Sequence, residues 1–464
     1  MRSVLLFALA GCTSADVAAP PPGQASCVSL PTQACLGDDL QAKLTALGPG
    51  GTLILEPGVY RLQTIAPLTG QTIQGRPGAV LCGARVLTGW TQSGASWFVG
   101  GQTQQGVAGG VCASGTACQL PEDLFVDDAL QRRVTSLAAV GPGSWYFDYA
   151  ADRAYVGSDP TGHVVEIGVR PYAVTGSASA VTIKGLTIEK YATTANHGAA
   201  VFGYGSSGWR IEDNEVRWNH SAGIYVSGTA TIRHNHAHHN GQLGMVGDHI
   251  LGPLIDSNTV ANNNTVGFDP NWAAGGIKIL TVTDLVLRKN LVSDNAGYGL
   301  WCDNCSATTT YYGNTVTGNS HAGIYLEVSA AALIDSNTTT GNGLSTGRGG
   351  IWVDNSADVE VRRNTVSGNG DGIKLRQVHR PDLPARVLTN VYVHDNTITT
   401  GSGSVGLVQF VGDNSYFTSR GNRFDRNRYV LSATGAEAFL WNNGILSRTG
   451  WQAAGQDPNG TFAP

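Results

Sequence analysis

From about residue 180 onward, apolar residues alternate with polar ones in short runs broken by turns. This is the period of two that marks a strand with one buried face. Aligned on one glycine, eight segments share a pattern: Gly223, Gly244, Gly276, Gly299, Gly323, Gly350, Gly372 and Gly406. The next residue is always apolar (Ile224, Met245, Ile277, Leu300, Ile324, Ile351, Ile373, Leu407). That position therefore points inward, and strand alternation sends the second and fourth positions outward. A second repeat overlies the first. Asn214, Asn235, Asn258, Asn290, Asn314, Asn337, Asn364, Asn396 and Asn422 recur at spacings of 21–32 residues, and all but Asn396 have another asparagine five residues on. This predicts a coil of short strands and turns. Its asparagines take the left-handed turn positions and stack into hydrogen-bonded ladders. No helical period of comparable strength competes.

These I-x-x-N-x-V and G-I-x-V-x units resemble the right-handed parallel β-helix of the pectate-lyase-like superfamily over about residues 180–440. The resemblance implies an all-β, right-handed parallel β-helix solenoid with an inserted β-rich subdomain. The expected organisation is a lipoprotein signal peptide (1–11), a tether (12–26), an N-terminal cap with the first coils (27–86), the inserted subdomain (87–170), the repeats (171–434) and a C-terminal cap (435–464). A capping helix is expected over 38–47.

Composition narrows the function. The 62 glycines in 464 residues are about twice the usual share and suit a turn-rich repeat. A net charge of −5 and the lack of any long Lys/Arg run argue against nucleic acid. At the N-terminus, Arg2 precedes an apolar run too short to span a bilayer. Leu9-Ala10-Gly11-Cys12 resembles the lipobox of bacterial lipoproteins, which implies lipidation of Cys12 and a lipid anchor in the membrane of a bacterial cell envelope, or secretion. Export permits disulfides, and Cys27 with Cys35 and Cys112 with Cys118 are expected to pair. Cys302 and Cys305 read as a local disulfide or buried thiols and not as a zinc site. Cys82 is expected to remain unpaired in the core.

The outward positions carry the chemistry. The second positions include Tyr225, Lys278, Trp301, Tyr325, Trp352 and Lys374; the fourth include Asp248, Asp303, Glu327, Asp354 and Arg376. Exposed aromatics on consecutive rungs point to a ligand. Three acids stacked on successive rungs need a cation, a sugar or a raised pKa to offset their repulsion. Carbohydrate, as a polysaccharide or oligosaccharide, suits such a face: rings stack on sugars, and acids bind hydroxyls. The expected substrate-binding residues are Lys278, Trp301, Tyr325, Trp352, Asp354, Asp248, His249 and Lys374. Asp303 and Glu327 fall about one strand spacing apart, which suits a retaining glycosidase.

G-G-I-K (275–278), G-L-W-C-D-N (299–304) and E-V-S-A-A-A-L-I-D-S-N (327–337) resemble segments of the β-helical β-xylosidase-type glycoside hydrolases. The resemblance implies Asp303 as nucleophile, Glu327 as acid/base, and Lys278 and Trp301 in the sugar subsite. Ala330-Ala331-Ala332 replaces the family's H-G-P, so a substrate-binding histidine is missing. V-G-F-D-P-N (266–271) resembles the Y-G-F-D-P-H motif of alginate epimerases, with Val266 and Asn271 in place of the proton-transferring Tyr and His. A polysaccharide lyase or uronate epimerase would use Lys278 as base, with the carboxylates holding calcium. The hydrolase reading needs no cofactor and no metal. A third reading is a non-catalytic, glycan-binding surface β-helix. His234, His236, His238 and His239 alternate along one strand and its turn. No acid or cysteine completes a metal site nearby in sequence, so they read as a solvated turn.

Overall fold

The computed structural model describes residues 27–463 other than 197, 384, 400–402 and 431–438. The signal peptide, the tether and Cys12 lie outside the described residues. Among the described residues, three long sheets of 13, 12 and 13 strands run along the coil, parallel except for the closing pair Phe439–Trp441 and Gly444–Leu446, and each coil after Val174 adds one strand to each sheet up to that end. One coil runs through Val286–Arg288, Leu291–Ser293 and Tyr298–Asp303. The next, through Thr309–Tyr312, Thr315–Thr317 and Ile324–Glu327, pairs with it in register, with Leu287 beside Tyr311, Val292 beside Val316 and Leu300 beside Ile324. Every inward position named above, from Ile224 to Leu407, is at most 1% exposed, and together these residues build one continuous core.

Two asparagine ladders phase the coils. In the first, the backbone N–H and side-chain Nδ2 of Asn290 both donate to Asn314 Oδ1 at 3.0 Å, and Asn290 Nδ2 also donates to the Ile255 carbonyl at 3.0 Å. The same bonds recur from Asn214 to Asn427, and the second ladder runs from Asn219 to Asn369. The structure corrects two expectations here. The ladder asparagines are not the left-handed residues. That conformation belongs to the residue before each of them, such as Asp213 (φ 57°), His234 (φ 56°) and Lys289 (φ 54°), which turns the chain so that the asparagine side chain points inward. Nor does Asn422 continue the first ladder. Asn396 donates to Asn427 instead, because the short helix Ser415–Thr418 inserted in this coil shifts the phase by five residues.

The ends are closed by different means. The helix Leu40–Leu47, capped by Asp39, presses Leu40 and Leu44 onto the first coil. At the other end Trp441, Trp451, Phe424 and Phe439 pack edge and face, and the first ladder terminates on Asp457, which accepts from Asn427, Tyr429 and Trp451. Between Cys82 and Val174 the chain leaves the coil and forms a four-stranded and a five-stranded sheet around Leu124, Trp145, Phe147, Val165 and Ile167. Buried Glu166 clamps this insert to the coil by accepting from Arg61 at 2.6 Å and from Lys190.

Disulfides join Cys27 to Cys35, Cys112 to Cys118 and Cys302 to Cys305. Cys82, expected unpaired, is also disulfide-bonded. Its strand is the last before the insert, and spacing in sequence gave no sign of the pairing.

The outward aromatics are not exposed. Trp301, Tyr325 and Trp352 retain 4%, 3% and 6% of their accessible surface and form a cluster with Tyr298 and Ala322, separate from the coil core. Each rung's ring lies against the next: the Tyr298 centroid is 4.7 Å from those of both Trp301 and Tyr325. Cations cover the faces that remain, with Lys278 Nζ 3.5 Å from the Trp301 ring and Arg376 4.8 Å from that of Trp352. Outward direction and burial are therefore separate properties, because neighbouring rungs shade one another.

Two stability measurements follow. Asn314→Ala should lower the unfolding free energy in urea by at least about 2 kcal/mol, because it orphans buried donors on Asn290, while Thr315→Ala on the exposed side of the same turn should cost under about 0.5 kcal/mol. Trp352→Ala should cost about 3 kcal/mol, as for a buried ring. A neutral Trp352→Ala would mean that the cluster contributes little to folding.

Candidate active site

Strand register brings the acids together. Parallel pairing sets Asp303 beside Glu327, Glu327 beside Asp354, and Asp354 beside Arg376. Adjacent strands lie ~4.8 Å apart, so three like charges would stand on successive rungs. Each has a cation of its own. Lys278 Nζ lies 3.6 Å from Asp303, Arg380 donates to Glu327, and Arg376 Nε reaches both oxygens of Asp354 at 2.8 Å.

The three carboxyls are not equivalent. Asp354 is fully buried, accepts from Tyr325 Oη at 3.0 Å, and is out of reach of a substrate; burial pushes its carboxyl up, against the pull of Arg376. Placed by its outward position among the expected substrate-binding residues, it is instead buried and held by Tyr325 and Arg376. Glu327 accepts from the Trp301 indole at 3.1 Å and from Arg380. Asp303 is the most open, with a quarter of its side chain exposed. Its carboxyl is pushed up to about 6, first by burial and then by Glu327. Burial also holds the Lys278 ammonium below its ordinary value, against the pull of Asp303.

The turn behind the acids is pinned by a short serine ladder. The Cys305 N–H donates to Ser329 Oγ, whose hydroxyl donates to the Glu327 carbonyl; Ser329 N–H donates to Ser356 Oγ, which donates to the Asp354 carbonyl. The Cys302–Cys305 disulfide brackets Asp303 and Asn304 on the first of these rungs.

Two non-repeating segments wall the acids in. After Gln377 the chain folds back over the sheet: Asn355 binds the backbone of Val378 and Arg386, and the Arg386 side chain donates to Asn304 Oδ1 at 2.7 Å. On the other side, the short helix Pro270–Ala273 offers the Trp272 carbonyl to Lys278 Nζ at 2.9 Å. Arg348, over the rings of Tyr298 and Trp352, reaches Asn271 at 2.7 Å. A cavity of about 390 Å³ opens beside Lys278, lined among others by Leu243, Val246, Trp272 and Leu280.

The remaining expected residues have local roles. Lys374 pairs with Asp371 at 2.6 Å. Asp248 pairs with the exposed His249 at 2.8 Å, on a rung two coils before that of Asp303. Asp269, in the V-G-F-D-P-N stretch, caps the short helix, and Phe268 is buried. Sequence reasoning missed Arg380, Arg386, Arg348 and Tyr298. The first three lie off the repeat and carry no periodic signal. Tyr298 directly precedes the aligned glycine, two residues before inward Leu300, so strand alternation turns it inward, whereas it packs with the outward rings.

A model of the right handed beta helix region matches residues 173–339 and 314–449. Among solved structures, the complex of XylC with xylose aligns at 14% identity and a TM-score of 0.57, over 89% of this chain and 77% of that one. The A-module of the Azotobacter vinelandii mannuronan C-5 epimerase AlgE6 aligns at 15% identity and a TM-score of 0.50, over 91% and 93%. No curated protein sequence matches the chain. At these identities the likeness is one of fold. With the three stacked parallel sheets, the paired asparagine ladders and a family match across most of the coil, the chain belongs to the right-handed β-helix family.

Proposed function

We propose that the protein is a carbohydrate-active enzyme that cleaves glycosidic bonds with retention of configuration, through Asp303 and Glu327. One observation carries this reading: two carboxyls stand side by side on adjacent rungs, and one of them, Asp303, is raised in pKa and open to solvent. Asp303, pushed up to about 6 by burial and by Glu327, holds a proton in mildly acidic solution, and Glu327 beside it accepts from the Arg380 guanidinium and the Trp301 indole N–H. In this reading Asp303 donates its proton to the leaving glycosidic oxygen while the Glu327 carboxylate attacks the anomeric carbon. Asp303, now ionised, then takes a proton from the water that releases the sugar. This order of roles reverses the one that the sequence resemblance implies. A separation of about one strand spacing suits double displacement, which works at ~5–5.5 Å, better than inversion at ~6.5–9.5 Å. The cavity beside Lys278 would hold the sugar, with the Trp301 indole holding Glu327 in place.

A second reading is favoured by one observation: buried Lys278, lowered in pKa beside Asp303, in a site also ringed by Arg348, Arg376 and Arg380. In an elimination on a uronate, Lys278 would act as base and the arginines would neutralise the carboxylate. Calcium does not fit this donor set, since Lys278, Arg380 and Arg376 already occupy the three carboxylates. The disulfides suit an oxidising compartment such as a bacterial cell envelope. Lipidation of Cys12 requires its sulfur to be free of any disulfide, so the mass of the mature N-terminus distinguishes an anchored protein from a soluble one.

A panel of aryl-glycosides, neutral polysaccharides and uronate polymers tests the reading. Asp303→Asn and Glu327→Gln should each lower kcat on the cleaved substrate by about 10²–10⁴-fold, and product NMR should show retained configuration. Absorbance from an unsaturated product would establish elimination instead. The order of roles has its own test. With Asp303 as acid, kcat/KM should fall as pH rises above about 6. With azide, Asp303→Ala should give a glycosyl azide of retained configuration and Glu327→Ala one of inverted configuration. The opposite pair of products would restore Asp303 as nucleophile.

A further inference from the structure

On a different sheet from the acids, the strand His236–His238 carries H-A-H. Ala237 is buried in the core, so strand alternation sends both imidazoles to the outer face. The preceding coil supplies what the local sequence lacks: parallel pairing sets Glu215 directly beside His236. Nitrogens of both rings and a carboxylate oxygen of Glu215 all lie within 4.8 Å of one another, and among the described residues this is the one such trio of His, Cys, Asp or Glu. His238 approaches Glu215 Oε1 at 3.1 Å through Nε2, and the two rings stack with centroids 3.9 Å apart.

We propose that Glu215, His236 and His238 bind a late first-row divalent cation, Zn²⁺ above all, that clips two adjacent coils together. The donor set is of the right type: two imidazoles and a carboxylate suit Zn²⁺, Cu²⁺ or Ni²⁺, whereas Ca²⁺ and Mg²⁺ take oxygen ligands. A ligand shell at 2.0–2.2 Å brings donor atoms to roughly 3.4 Å from one another. His236 is the exposed member of the set, and the donor atoms have to draw together from within 4.8 Å to reach that shell. The surroundings match what metal ligands require. A ligating histidine donates its other ring N–H to an acceptor, and a ligating carboxylate is itself hydrogen-bonded. His238 Nδ1 meets His239 Nδ1 at 2.8 Å, brought there by the left-handed turn at His239 (φ 52°). Arg217 Nη1 donates to Glu215 Oε1 at 2.9 Å, and Thr187 Oγ1 lies 3.3 Å from Oε2. The Arg217 charge is met by Glu189 at 2.7 Å, which limits its repulsion of a bound cation. Exposure of His236 provides the entry path, and three protein ligands leave a position for water.

The test is a Zn²⁺ titration of the full chain without an affinity tag at pH 7.5, by calorimetry, together with thermal unfolding. One ion should bind per chain, and Zn²⁺ should raise Tm, because an ion that binds only the folded state stabilises it. His236→Ala and Glu215→Gln should each weaken binding at least tenfold and abolish the rise in Tm. His234→Ala, one turn away and beside Asp213, should change neither. Circular dichroism checks that each variant is folded, and His236, being exposed, leaves no core cavity when truncated. Absence of binding and of any shift in Tm in the wild type would overturn the proposal, as would undiminished binding in folded His236→Ala. Both readouts are independent of glycosidase activity.

Discussion

A buried primary amide has two donors and an acceptor to satisfy, and in this molecule two rows of such amides are satisfied almost wholly by one another and by the backbone of adjacent coils. Asn314 can accept from Asn290 and donate to Asn337 and to the Leu287 carbonyl only if three coils are in phase. A slip of one residue would break several bonds per coil and strand the groups in a medium where they are costly. The ladders therefore fix the register of all three sheets. Where phase has to change, as before Asn427, a helix absorbs the extra residues outside the ladder and the amides meet again.

That rigid register makes the stacked acids possible. Three carboxyls on consecutive rungs repel one another, and a flexible scaffold would relieve the repulsion by moving apart. Here the strands are held one spacing apart from behind, by the ladders and by the Cys305–Ser329–Ser356 bonds under the acids. The charge is met from outside the repeat. Lys278 comes from the preceding rung, Arg376 from the following one, and Arg380 from a loop that leaves the coil. Because the three pairings differ in burial and geometry, the acids differ in character. Asp354 is locked in place, Glu327 is hydrogen-bonded by two donors, and Asp303 is open and raised in pKa.

The same geometry explains why the aromatic face is dry. Side chains on one face of a parallel sheet meet their equivalents one strand spacing away, so large rings on consecutive rungs pack against each other before they meet solvent. Tyr298, Trp301, Tyr325 and Trp352 make a second, smaller core outside the coil, with arginines and a lysine over its faces.

The sequence by itself determined the architecture and the placing of the acids. Period, inward positions and the succession Asp303, Glu327, Asp354 all follow from a repeat read in one dimension, because a solenoid converts spacing along the chain into stacking in space. It also located both ladders over most of their length. Tertiary structure decided what the period does not encode. The left-handed residue proved to be the one before each asparagine, since the turn has to aim the amide inward. The last coil is shifted because its helix breaks the count. Arg380 finds Glu327 and Arg386 finds Asn304 from a loop with no repeat. Glu215 meets His236 because the coil closes 21 residues into one turn of the solenoid. A one-dimensional pattern reports phase; which charge neutralises which, and which imidazole finds a carboxylate, depends on contacts between residues that only the closed coil brings together.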